Sequence, residues 1–136
     1  MHKTLTIWVI DDDDIFQFGM RINLKSLKIE KKVLFFKNGK EAADFMIENI
    51  KDETNLPDVI FLDINMPIMD GFEFMENFAQ LKSKLKKRIT IYMISSSIDP
   101  VDLKKAQAIK EISNYLVKPI NLKELNKLIL QHEQKD

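Results

Sequence analysis

Asp11-Asp12, Asp63, Ser95 and Lys118 are the residues whose types and spacing could do chemistry together. Each follows a short apolar run: Leu5 to Ile10 before Asp11, Val59 to Leu62 before Asp63, Ile89 to Ile94 before Ser95, Asn114 to Val117 before Lys118. Short runs rich in branched and aromatic side chains read as strands covered on both faces, as in a parallel sheet. Such strands all end at one edge, where open α/β sheets bind ligands. If the first and third strands are neighbours, three carboxylates converge. Two of these ~4 Å apart repel by roughly 4 kcal/mol at an effective dielectric near 20. A proton, a lysine or a divalent cation must offset that repulsion. Oxygen donors with no His or Cys nearby suit a hard cation, Mg²⁺ (or Mn²⁺). Lys118 and a serine hydroxyl could hold the oxygens of an incoming phosphoryl group. Asp63 would then be the nucleophile that forms an acyl phosphate.

The elements that must position these residues alternate along the chain. Helical patterns follow the strand-like runs. The first is expected to place Ile15, Phe18, Ile22 and Leu27 on one face. After a second strand, Val33 to Phe36, a helix opens at Asn38-Gly39 with Ala42, Ala43, Met46 and Ile50. A third opens near Asp70 with Phe74, Met75, Phe78 and Leu81; a fourth opens at Asp99-Pro100 with Leu103, Ala106 and Ile109. The last opens at Asn121 with Leu122, Leu125, Leu128 and Ile129. Five Asx residues precede an acid or amide by three positions: Asp14/Gln17, Asn38/Glu41, Asp70/Glu73, Asp99/Asp102 and Asn121/Glu124. Each could satisfy an orphan amide at a helix start, so Asp14 is expected to cap the first helix. Pro100 suits a first helical position, where its missing N–H is not needed. Five βα units imply a parallel sheet with helices on both faces and right-handed crossovers. Asp58 and Asp70 read as structural, at a strand start and a helix cap.

Composition narrows the function classes. The 136 residues suit one domain, expected over 1–136 with no output module after the fifth helix. The absence of cysteine excludes disulfides and thiolate metal sites. Lys+Arg and Asp+Glu both number 21, which argues against nucleic-acid binding driven by bulk charge. No apolar run has the length of a membrane span, and Met1-His2-Lys3 begins no signal-peptide pattern, so a cytoplasmic location is expected. Lys82 to Arg88 is a basic run that reads as a solvated helix end and loop; whether it docks a partner stays open. His2 and His132, near the termini, are expected to face solvent.

Asp11-Asp12, Asp63 within Leu-Asp-Ile-Asn-Met-Pro-Ile-Met-Asp-Gly, Ser95 and Lys118-Pro119 together resemble the receiver domain of two-component response regulators, the CheY-like family. The likeness covers nearly the whole chain. It implies a flavodoxin-like doubly wound (βα)5 fold with strand order 2-1-3-4-5. It also implies that Asp63 accepts a phosphoryl group from a histidine kinase or histidine phosphotransfer protein. Asp12, Asp63 and the backbone carbonyl of Asn65 would bind Mg²⁺ directly, and Asp11 through a water. Lys118 would pair with the phosphoryl group, and Ser95 would hydrogen-bond it. Tyr115 fits the aromatic that swings inward on activation, and Lys118-Pro119 would be a cis peptide. The output would be a conformational change read by a downstream protein, with no enzymatic, nucleic-acid or membrane role. Glu111-Ile112 depart from the family's small pair before the strand-five aromatic, and Ser95 replaces its commoner threonine. Asn65 and Ser97 fall where the family tunes dephosphorylation.

Rival readings come from other classes. A phosphatase of the haloacid-dehalogenase type also uses an Asp nucleophile and Mg²⁺, but places a second Asp two residues on, where this chain has Asn65. A flavodoxin-like nucleotide binder needs a hydroxyl- or glycine-rich loop after strand one, where four aspartates would repel phosphate. A receiver fold used only for docking would have no need of the intact acid set.

Overall fold

The computed structural model describes residues 4–133. Five strands form one parallel sheet in the order β2-β1-β3-β4-β5: β1 (Leu5–Ile10), β2 (Lys31–Phe36), β3 (Val59–Asp63), β4 (Thr90–Ser95) and β5 (Ile112–Val117). Each leads into a helix: α1 (Asp14–Ser26), α2 (Gly39–Glu48), α3 (Gly71–Leu81), α4 (Pro100–Gln107) and α5 (Leu122–Glu133). This is the expected flavodoxin-like (βα)5 arrangement. The strand order reverses between β1 and β3, which makes their carboxyl ends the switch point. The two edge strands begin two residues earlier than periodicity predicts. Lys31 pairs with Leu5 and Ile112 with Ile91, because an edge strand can carry polar residues on its open side.

Side chains of the inner strands alternate between two cores. Ile7, Val9, Val59, Phe61, Tyr92 and Ile94 pack beneath α1 and α5, against Phe16, Met20, Leu24, Leu125 and Ile129. Trp8, Ile10, Ile60, Leu62, Ile91 and Met93 pack beneath α2, α3 and α4. The period of two in the strands, with both faces buried, is why they read as continuous apolar runs. Trp8 is fully buried against Phe36 and Phe45, and its Nε1–H donates to the Asn55 carbonyl at 3.1 Å. His132 is half-buried rather than solvent-facing. Its Nε2 lies 3.4 Å from the hydroxyl of buried Tyr92, whose ring stacks on Phe61. His2 lies outside the described residues. Among those residues no helix is long and apolar enough to cross a membrane.

Helix α1 corrects two expectations. Its cap is Asp13, extended at φ −84°, whose carboxylate accepts from the amides of Ile15 (2.9 Å) and Phe16 (3.3 Å). Asp14 is instead the first helical residue. The helix is therefore rotated relative to the apolar spacing: Ile15, Phe18 and Ile22 are 85%, 64% and 51% exposed, and Phe16, Met20 and Leu24 are buried. Leu27 is buried as expected. Two apolar stripes compete on this helix, and the cap decides which one faces the sheet. The remaining caps fall where expected. Asn38 accepts from Glu41 N, Asp70 forms a reciprocal capping box with Glu73, and Asn121 accepts from Glu124 N. Asp99 caps through Val101 N rather than Asp102, with Pro100 next to it at the helix start.

Candidate phosphoryl-acceptor site

The carboxyl ends of β1, β3, β4 and β5 build the site. Asp11 follows β1 and is buried. Its N–H donates to the Phe36 carbonyl at 3.0 Å, and its Oδ1 accepts from Asp13 N at 2.9 Å. Gln17, on the first turn of α1, is turned inward: its amide donates to the carbonyls of Asp11 (2.7 Å) and Phe36 (2.8 Å). One side chain thus ties the ends of β1 and β2 together. Gln17 reads in the sequence as part of a cap, and no spacing signal marks it as a clamp.

Asp63 is the last residue of β3 and is buried. The chain beyond it turns tightly. Met69 N donates to the Pro67 carbonyl at 2.7 Å around Ile68, whose φ is 70°. A β-branched residue in that region is strained, and Ile68 is left exposed at the rim. The turn returns the chain so that Gly71 N donates to Ile64 O at 2.9 Å. A Cβ at Gly71 would lie 2.4 Å from the Asp63 carbonyl oxygen, so only glycine allows α3 to begin this close to the end of β3.

Lys118 closes the site from the end of β5. Its N–H donates to the Ser95 carbonyl at 2.8 Å, and the Lys118-Pro119 peptide is cis, as expected. Its Nζ lies 2.9 Å from Asp11 Oδ2, 3.7 Å from Asp63 Oδ1 and 3.9 Å from Asp13 Oδ2, and 4.7 Å from the centre of the Phe16 ring. Asp11 Oδ2 is in charge contact with this ammonium, but its geometry is not that of a hydrogen bond, and it has no other partner. Buried Ser95 accepts from Ser97 N at 3.3 Å. Half-buried Tyr115 donates its hydroxyl proton to the Ser97 carbonyl at 3.3 Å. Asn65 is exposed on the loop after Asp63. Ile112, the bulky departure before Tyr115, packs against the core under α2, α3 and α4.

One carboxylate oxygen from each of Asp11, Asp12 and Asp63 lies within 4.8 Å of the others. Asp12 is exposed and the other two are buried, so the cluster opens to solvent on one side. Three carboxylates face one ammonium. Burial, followed by the charge of Asp11, pushes the Asp63 carboxyl up to about 7, and Lys118 only partly opposes this. Burial also raises Asp11. Burial alone would lower Lys118, but its contact with Asp11 and the neighbouring acids leaves it raised. Excess negative charge, a buried Asp11 oxygen whose one contact is the Lys118 ammonium, and an all-oxygen donor set fit a hard divalent cation. The sequence-predicted residues Asp11, Asp12, Asp63 and Lys118 are brought together, and Ser95 and Tyr115 stand on the strands beside them. Asp13 and Phe16 are further parts of the site that no spacing in the sequence marks, and Gly71, the last residue of the motif around Asp63, adds the close approach of α3.

The family described as the response regulator receiver domain matches residues 7–130, and the chain belongs to it. A protein-glutamate methylesterase/protein-glutamine glutaminase of Methanococcoides burtonii is 33% identical over 94% of this chain, which spans only 33% of that longer protein. The crystal structure of a two-component response regulator from Cytophaga hutchinsonii superposes with a TM-score of 0.85 at 28% identity, covering 98% of this chain and 100% of that one. The Mn(2+)-bound form of the response regulator Rcp1 superposes at 0.70 with 26% identity, covering 96% and 93%.

Proposed function

We propose that this receiver domain is a phosphoryl-accepting switch, with Asp63 as the acceptor and a histidine kinase or histidine phosphotransfer protein as the donor. The observation that carries this reading is the convergence of Asp11, Asp12 and Asp63 within 4.8 Å, with Lys118 3.7 Å from the Asp63 carboxylate. A carboxylate oxygen of Asp63 attacks phosphorus as the P–N bond to the donor imidazole breaks. The products are an acyl phosphate and an imidazole that takes up a proton. Asp11, Asp12, Asp63 and the carbonyl of Asn65 are the groups that would hold Mg²⁺ or Mn²⁺. When bound, that ion supplies neutralisation of charge on the phosphoryl oxygens. Lys118 is close enough to shift from the carboxylates onto a phosphoryl oxygen as that oxygen arrives. The Ser95 hydroxyl, which accepts from Ser97 N, still has its own proton to donate to a second oxygen.

Phosphorylation adds charge beside Ser95 and moves it, and the β4–α4 loop follows. Tyr115, now tethered to that loop through Ser97 O, is the side chain set to turn inward and pass the change to a partner protein. Incubation with acetyl phosphate and Mg²⁺, followed by intact mass measurement, tests the reading. The expected result is a gain of one phosphate that Asp63→Asn abolishes. A gain retained by Asp63→Asn would move the acceptor elsewhere, and no gain on the unaltered protein would leave a docking module.

A further inference from the structure

The opposite edge of the sheet carries a second concave site. At the amino ends of the strands, roughly 16 Å from Asp63 along β3 at ~3.3 Å per residue, there is a cleft of about 580 Å³. That is within the size range of small-molecule pockets. Its charged lining is Lys32, Lys86, Lys87 and Arg88 against one carboxylate, Glu53. Lys87 belongs to the framework. Its Nζ donates to the carbonyls of Glu53 (2.7 Å) and Leu56 (2.6 Å) and lies 3.5 Å from Asp58 Oδ1, with a side chain only 11% exposed. Asp58 Oδ2 in turn accepts from Thr6 N at 2.8 Å, which locks the cleft floor to β1. Lys32 donates to Asn55 Oδ1.

Lys86 and Arg88 are different. Both are exposed, and among the described residues neither has a hydrogen-bond or ion-pair partner. The cleft therefore keeps two uncommitted cations beside a wall in which Lys87 is already paired with Asp58 and Lys32 is held by Asn55. The lining carries four cations against Glu53, with Asp58 and Asp52 bonded to it from behind, so its charge is net positive without being of one sign, and that excess concentrates counter-charge.

The other polar groups select what accompanies the anion. Thr6 Oγ1 donates to the Thr54 carbonyl at 3.0 Å, and Thr54 Oγ1 donates to Asp52 Oδ1 at 2.6 Å. With those protons spent, both hydroxyls offer only lone pairs to the cleft, as does Glu53. No aromatic ring lines it, so nothing is placed to stack a nucleobase. We infer that this cleft binds a small phosphorylated sugar. Arg88 and Lys86 hold its phosphate, and Glu53, Thr6 and Thr54 accept from its hydroxyls. The inference does not depend on the chemistry of Asp63.

Amide NMR titration of the full chain without divalent cations tests it, using ribose 5-phosphate, ribose and inorganic phosphate as probes. Ribose 5-phosphate should move the signals of Thr54, Lys87 and Arg88 with a dissociation constant in the millimolar range or tighter. Inorganic phosphate should bind about tenfold more weakly, and ribose should move nothing. The double variant Lys86→Glu/Arg88→Glu should lose at least about tenfold in affinity while its phosphorylation by acetyl phosphate is unchanged. Three results would each overturn the inference: no movement of these signals at about 10 mM, equal affinity for inorganic phosphate, or an unaltered affinity in the double variant.

Discussion

Lys118 sets the balance at the residue scale. Its ammonium is the cation shared by Asp11, Asp63 and Asp13, its side chain is largely buried, and its Nζ lies over the Phe16 ring. Removing one partner of a buried charge cluster leaves the others uncompensated, at a cost of about 3–5 kcal/mol for fully buried pairs. This site opens to solvent through Asp12, so Lys118→Met should cost less, about 1–3 kcal/mol in metal-free urea denaturation. Saturating Mg²⁺ should shrink that loss, because the ion takes over the neutralising role. Phosphorylation should still slow in Lys118→Met with Mg²⁺ present, because the incoming phosphoryl oxygens have lost their ammonium. Equal labelling rates would remove Lys118 from the reaction. Asp13 and Gln17 act differently: they hold the chain around Asp11 by capping and by clamping two carbonyls.

At the scale of elements, two junctions decide the geometry. The β3–α3 connection brings α3 against the strand that bears Asp63, with no room for a side chain at Gly71. Gly71→Ala should therefore cost about 2–3 kcal/mol through overpacking against rigid backbone. It should also slow phosphorylation, since relief requires displacing the Asp63 carbonyl. A fully stable and fully active variant would show that the junction yields. The β1–α1 connection decides which face of α1 is buried. Met20→Ala should cost about 2–5 kcal/mol. Phe18→Ser, on the exposed stripe, should stay within about 0.5 kcal/mol of the parent. The opposite ranking in thermal denaturation would restore the face that spacing alone suggested. The strands and the starts of α2, α3 and α5 were legible because a twice-buried run and an Asx cap are local signals. The register of α1 was not legible. Asp13 and Asp14 are both acceptable caps, and the choice between them depends on where Asp11 and Phe36 place the chain.

For the whole molecule, the packing of acids at one rim becomes a pH-dependent stability. Asp63 is raised to about 7 by burial and by Asp11, from an ordinary 3.8. Between those values the folded protein holds a proton that the unfolded chain has released. Stability therefore falls as pH rises through about 4 to 7, by an amount of order 2–4 kcal/mol at full ionisation. Asp11, also raised, adds to the same trend. Metal-free melting temperatures should decline over this window. With saturating Mg²⁺ the decline should flatten, because a cation that binds the ionised folded form replaces the proton. A flat metal-free profile would show that the acids are not held together in solution.

The sequence by itself determined the five βα units, the candidate acids and lysine at the strand ends, and the edge at which they gather. Those follow from local patterns: apolar runs with both faces covered, caps at helix starts, and acids at strand ends. Only the tertiary structure decided how tightly the set is held. The neighbouring of β1 and β3, the Gln17 clamp, the absence of room at Gly71 and the burial that lifts Asp63 arise between segments distant in the chain. The same is true of the basic cleft. Lys32, Glu53 and Arg88 share no local pattern, and they meet because a parallel sheet brings the starts of its strands together as surely as it gathers their ends.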